Sequence, residues 1–197
     1  MAMVKAPRRQ PRQTFLALTM AALMAMPSAA AMAAEKLLVP KLPGWTVVSS
    51  VSDANGESSE MVPDREVKGR WSRRMAVQAF RSSPLEVKDF LEQVVQQTQP
   101  VCESTSAGPI SMGKVGNAPA GSRAVTCGRY KGDGLGTYAL YFAIRGHNAL
   151  YVVSRLWRGD PFQPSSQAPI PAEEVQDWTN HFNSIDLCGY DSSNPCR

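Results

Sequence analysis

The sequence predicts an α+β domain, an antiparallel β-sheet with two α-helices packed on it. Three observations predict this. First, YALYFAIRGHNALYVVSRLW (138–157) alternates with period two on both sides of a short Gly-His-Asn connection, the pattern of a hairpin. Second, two segments, after Ser83 and near Pro171, carry apolar residues at helical spacing. Third, strand-like runs are grouped before and after the first helix instead of alternating singly with helices, which favours α+β over a parallel sheet.

Residues 1–33 read as an export signal. Lys5, Arg8, Arg9 and Arg12 form a basic start, Phe15 to Met26 an apolar run, and Ala31-Met32-Ala33 a cleavage signature. The apolar run has 12 residues, fewer than the roughly 20 that span a bilayer, so no transmembrane segment is expected after cleavage. No cysteine stands near the cleavage point, and Phe15 and Leu16 lie too far from Arg8-Arg9 for a twin-arginine signal. Ordinary secretion to a periplasmic or extracellular location is expected.

Cleavage changes the charge argument. The chain carries 21 Lys+Arg and 17 Asp+Glu, with four basic and no acidic residues before Ala34. The exported form is then close to neutral, which removes the case for nucleic acid. Taking 33 from 197 leaves 164 residues, read as one domain over 34–187 and a disulfide-closed tail over 188–197. The four cysteines, Cys102, Cys127, Cys188 and Cys196, all fall in this part. Two disulfides are expected there; proximity favours Cys102–Cys127 and Cys188–Cys196, although three pairings are open. The spacings fit no zinc site, and no metal or cofactor is expected.

The elements follow in order. Trp45–Val51 is a β-branched run, DANG (53–56) a turn, and Ser58–Val62 a returning strand. In Trp71–Phe80, Trp71, Arg73, Met75, Val77 and Ala79 would share one face of a strand. Ser83-Pro84-Leu85-Glu86 is a helix start with a capping box, followed by a stripe of Val87, Phe90, Leu91, Val94 and Val95. Strands are expected over 110–115 and 122–130, with a turn at NAPAG (117–121), then the hairpin. Four prolines in GDPFQPSSQAPIP (159–171) predict an extended surface connection. Val175, Trp178, Phe182 and Ile185 mark the second helix.

This order resembles the PsbP-like family of extrinsic and periplasmic domains over about residues 42–187, on WTVV, WSRRMAVQAF, SPLEVKDFLEQVV, ALYVVSRLW and EEVQDWTNHFNSI. The resemblance is one of element order. It implies a PsbP-like fold and an accessory or ligand-binding role, with no shared catalytic residue.

No catalytic set emerges from the residues. His147, at a hairpin tip, reads as a turn residue, and His181 as a helix-flank residue. Ser111 lacks the first glycine of a nucleophile elbow, and GDGLG (132–136) precedes no helix that could hold a phosphate. Glu173 and Glu174 suit a helix N-terminus. The least bland feature is arginine beside tryptophan, twice: Trp71 with Arg73 and Arg74, and Arg155 and Arg158 around Trp157. On neighbouring strands these would form a cationic, aromatic ligand-binding surface for an envelope protein or for an anionic glycan or lipid headgroup. The alternative is burial of the indoles under a helix, with arginine stems laid over apolar surface. The function expected is a non-enzymatic binding or accessory protein. The alternative is a small envelope hydrolase using carboxylates such as Asp133 and Glu60.

Overall fold

The computed structural model describes residues 35–164 and 169–196; the export signal expected over 1–33 lies outside them. In chain order these residues form β1 (Lys36–Leu38), β2 (Trp45–Asp53), β3 (Gly56–Pro63), β4 (Arg73–Arg81), α1 (Val87–Thr98), β5 (Thr105–Ala107), β6 (Ser111–Val115), β7 (Ala118–Cys127), β8 (Gly136–Arg145), β9 (Ala149–Gly159), α2 (Ala172–Asn183) and β10 (Asp186–Cys188). Eight strands make one sheet in the order β2-β3-β4-β9-β8-β7-β5, with β6 also paired to β7, and β1 pairs separately with β10. All pairings are antiparallel. The architecture is α+β, two helices on an antiparallel sheet.

The β8–β9 hairpin is the centre of the sheet. Its register runs unbroken from Gly136↔Gly159 to Arg145↔Leu150. Residues Ala149–Leu156 are buried on both faces, because each face of the central strands carries its own helix. Val87 and Leu91 of α1 pack on Ala143, Leu150 and Val152. On the opposite face, Phe182 at the end of α2, followed by Ile185 and Leu187, packs on Met75, Ile144 and Val153, with Leu37, Leu42 and Trp45 of the N-terminal segment beside them. Fully burying one such aliphatic side chain contributes about 1.5–3 kcal/mol, so these two layers dominate stability. Gly121 permits the close approach of α1: a Cβ there would lie 3.0 Å from Val87 Cγ1 and 3.0 Å from Ser111 O.

Three expectations are corrected. α1 starts at Val87, with Glu86 as its N-cap and no capping hydrogen bond from a side chain. The Ser83 hydroxyl instead accepts from Leu85 N–H at 3.3 Å, so no capping box forms. The turn expected over 117–121 is confined to Gly116-Asn117, and β7 already begins at Ala118. The proline-rich connection is not wholly superficial, because Phe162 packs edge-on against Trp157 and Ile170 is buried beside Trp178. The three-residue strands β1, β5 and β10 are too short to carry a periodic signal.

His147 occupies the exposed hairpin tip but does more than turn the chain. Its ring stacks on Tyr190 at 4.2 Å, its Nε2 donates to the Tyr190 carbonyl at 2.9 Å, and its backbone N–H donates to Glu35 at 2.8 Å. These partners lie 43 and 112 residues away in sequence, which is why the local pattern could not reveal them. The sulfur atoms of Cys102 and Cys127 are 2.01 Å apart and those of Cys188 and Cys196 are 1.99 Å apart, so both proximal pairs are disulfides.

Candidate functional site

β4 and β9 are neighbours, with Arg73↔Trp157, Arg74↔Leu156 and Met75↔Arg155 in register. The pleat then sends successive side chains to opposite faces. Arg74 and Arg158 join Trp71 on the α1 face, while Arg73, Arg155 and Trp157 point to the α2 face. The six arginine and tryptophan residues therefore form two clusters, not one. Trp71 departs from its expected face because strand pairing begins only at Arg73, which leaves Trp71 outside the alternation.

On the α1 face Trp71 lies between two guanidinium groups, with Arg74 Cζ 4.7 Å and Arg158 Cζ 4.4 Å from its ring centroid. Arg158 is fully committed. It donates to Trp71 O at 3.2 Å and Gly69 O at 2.8 Å, and pairs with Asp133 at 3.6 Å. Glu66 fixes the approach to this loop by accepting from Ser72 N–H at 2.8 Å and from Ser72 Oγ at 2.5 Å. Burial pushes the Glu66 carboxyl upward, but the Ser72 hydrogen bonds outweigh it and hold the group below its ordinary range. Arg74 is only partly committed: one terminal nitrogen meets Glu60 at 3.3 Å, and its Nε is buried without a partner among the described residues. Trp71, Arg74 and Arg158 border a 280 Å³ pocket floored by Leu156 and the Cys102–Cys127 disulfide, with exposed Tyr130 on its rim.

On the α2 face the arrangement is inverted. The Arg155 guanidinium lies between two indoles, 5.3 Å from the Trp45 centroid and 5.1 Å from that of Trp178. Arg155 is 8% exposed and Trp178 1%. Burial brings the Arg155 pKa down to about 10, with Glu174 and Asp177 of α2 opposing that shift. Arg73 forms a two-pronged ion pair with Glu174, one arm at 2.7 Å, so this acidic residue does more than complement the helix dipole. His181, expected on the helix flank, is also buried, and its Nε2 donates to Pro40 O at 3.0 Å. Burial, opposed by that hydrogen bond and helped by Arg155, lowers its pKa. This cluster clamps α2 and the N-terminal segment to the sheet.

Sequence reasoning missed Trp45, Trp178 and His181 around Arg155. The signal was present, because the alternation that puts Tyr151 and Val153 inward puts Arg155 inward too. GDGLG is a β7–β8 hairpin loop closed by Gly134 N–H to Tyr130 O at 2.8 Å and Leu135 N–H to Asp133 at 3.0 Å. Among the described residues no group of three or more His, Cys, Asp or Glu could hold a metal ion. No helix among them is long and apolar enough to cross a membrane.

No family model matches the chain, and no curated protein matches it. Among solved structures the chain is similar to the Ran-binding protein Mog1p of Saccharomyces cerevisiae, at 13% identity over 76% of this chain and 84% of that one, with a TM-score of 0.44. It is also similar to LpqN of Mycobacterium tuberculosis, described as involved in cell envelope biogenesis, at 8% identity over 81% and 87%, with a TM-score of 0.39. The likeness is one of outline and transfers no residue and no partner.

Proposed function

We propose that residues 34–187, exported behind the signal at 1–33 and closed by the tail 188–197, form a non-enzymatic binding domain of the cell envelope. The pocket at Trp71, Arg74 and Arg158 takes a carboxylate presented by an envelope protein or glycan. One observation carries this reading: Arg74, held by Glu60 through one terminal nitrogen at 3.3 Å, lines an open pocket beside an indole that Arg158 also contacts. A planar guanidinium edge suits a carboxylate held by two parallel hydrogen bonds, and the Trp71 ring gives the partner an apolar wall. The two disulfides fit an oxidising compartment.

The hydrolase alternative has one observation in its favour: Glu60 and Asp133 each pair with one of the two arginines at Trp71. A glycosidase, however, needs one carboxyl free to protonate the leaving oxygen, and here both are engaged with arginine. The test is retention of the oxidised protein on immobilised polygalacturonate and on polyglutamate. Salt-sensitive retention on either, lost in Arg74→Gln and not restored by Arg74→Lys, is expected. Retention by Arg74→Gln equal to that of the parent would reject the site, and release of reducing ends from the glycan would favour the hydrolase.

A further inference from the structure

A cavity of about 530 Å³ lies away from the arginines. It lies on the α2 face of the sheet, where β6 and β7 extend beyond the helix, and the chain leaving α2 (Phe182 to Asp186) forms its far wall. We propose that this cavity is a binding site for a neutral saccharide unit.

The argument begins with register. Ser111 of β6 is opposite Ser122 of β7, and Ser122 is opposite Phe142 of β8. Three side chains on one face therefore form a row across three strands, spaced about 4.8 Å apart: hydroxyl, hydroxyl, aromatic ring. Phe182 of α2 stacks on Phe142, with centroids 5.4 Å apart and planes 17° apart, which fixes the ring wall. Asn183 faces the row from the end of α2.

The polar groups are uncommitted. Among the described residues the side chains of Ser111, Ser122 and Asn183 make no hydrogen bond. Asp186, also in the lining, is already bonded to Asn194 Nδ2 at 3.0 Å and to its neighbour's N–H at 2.8 Å. Two hydroxyls and an amide can each donate and accept, as a ring of hydroxyl groups requires. A carboxylate or phosphate would instead be met by a cluster of cationic donors. Lys114 and Asp186 contribute one charge of each sign to the lining, which favours a neutral ligand over an ionic one. The stacked phenylalanines offer an apolar wall for the C–H face of a sugar ring, and the volume falls within the usual range for small-ligand pockets, about 300–1,000 Å³.

Gly113 supplies the test. It lies between Ser111 and Val115 on the cavity side of β6, and a Cβ built on it meets nothing within 4 Å. Gly113→Trp projects an indole from a Cβ that itself meets nothing within 4 Å. Calorimetric and saturation-transfer titrations of the oxidised protein would use chitobiose, maltose and cellobiose, with glucuronate as the charged comparison.

Saturable binding of at least one neutral disaccharide is expected, weakened about tenfold or more (1.4 kcal/mol) by Gly113→Trp and by Asn183→Ala, with Arg74→Gln unaffected. Asn183 is exposed, so the second variant remains informative should the first fail to fold. Absence of binding by all three sugars, preference for glucuronate, or binding that survives both substitutions would overturn the proposal. Because Arg74 lies on the opposite face of the sheet, failure here leaves the carboxylate pocket standing, and failure there leaves this cavity standing.

Discussion

Two clusters of the same residue types sit one strand position apart and do opposite work. On the α2 face one arginine, Arg155, lies between two tryptophans and is buried. On the α1 face one tryptophan, Trp71, lies between two arginines and is half-buried. The difference comes from what lies above each. α2 and the N-terminal segment cover the first, where the indoles shield a desolvated cation. Among the described residues no helix lies across the second: α1 packs against β7 and β8, its last residue, Thr98, lines the pocket beside Trp71, and that pocket remains open. A cation–π contact is thus a buried structural clamp in one setting and a partly exposed contact beside an open pocket in the other.

Substituting one tryptophan from each cluster tests that contrast most strongly. Trp178→Ala should cost about 3–5 kcal/mol, as removal of a large, fully buried aromatic does. Trp71→Ala should cost about 1–2 kcal/mol, the worth of two partly exposed cation–π contacts. Urea denaturation measures both. Equal losses would mean that the outer tryptophan is core as well, and the division into buried clamp and partly exposed cluster would fail.

The disulfides come next. Cys102–Cys127 spans 25 residues and floors the outer pocket, whereas Cys188–Cys196 spans 8. In the chain-entropy view their loss costs about 3.5 and 2.6 kcal/mol respectively. Replacing the first pair by alanine should both lower the denaturation midpoint more and weaken retention on an anionic matrix; replacing the second should leave retention intact.

Acid should act on the inner cluster. His181 is buried, bonded to Pro40 O and faced by the Arg155 charge, and Arg155 in turn feels Glu174 and Asp177 of α2 and Arg73 of β4. Its native pKa lies below the unfolded value of about 6.5, so the unfolded chain binds the proton more readily. The contribution of neutral His181 is therefore complete above that value and is lost as pH falls from there through the lowered native pKa. Melting temperatures taken across that window should decline with acid, and His181→Gln should flatten the decline. A profile of unchanged slope in His181→Gln would remove this residue from the account. His147→Asn controls for the other imidazole.

The smallest effect is expected from the most unusual residue. Arg155→Met keeps the stem between the two indoles and removes a desolvated charge whose Nε has no partner among the described residues. Such replacements are often neutral or stabilising by about 1 kcal/mol or more. A loss comparable to that of Trp178→Ala would show that the cation itself holds α2, through Glu174 and Asp177, and not the apolar sandwich.

Much of the architecture was legible because its signals are local. Alternation over 138–157 specified the central hairpin, and the spacing from Val87 to Val94 and from Val175 to Phe182 specified two amphipathic helices. The same alternation already separated Arg74 from Arg73 and Arg155 from Arg158. What it left open was which face would be covered. Trp45 reaches Arg155 from 110 positions away in the chain, and Glu35, which precedes β1, reaches the hairpin tip at His147 from 112; no pattern within a single element carries such contacts.

By itself, then, the sequence determined the α+β class, the helix faces, the central hairpin and the concentration of arginine and tryptophan at β4 and β9, because each follows from the residues of a single element. Only the tertiary structure decided that the arginines and tryptophans split into a buried clamp and an open pocket, and that three strands line up two serines and a phenylalanine beneath the end of α2. The physical reason is that burial belongs to a pair of surfaces. A side chain's periodicity says which way it points, and only the element packed against it, brought from a distant part of the chain, says whether it meets protein or water.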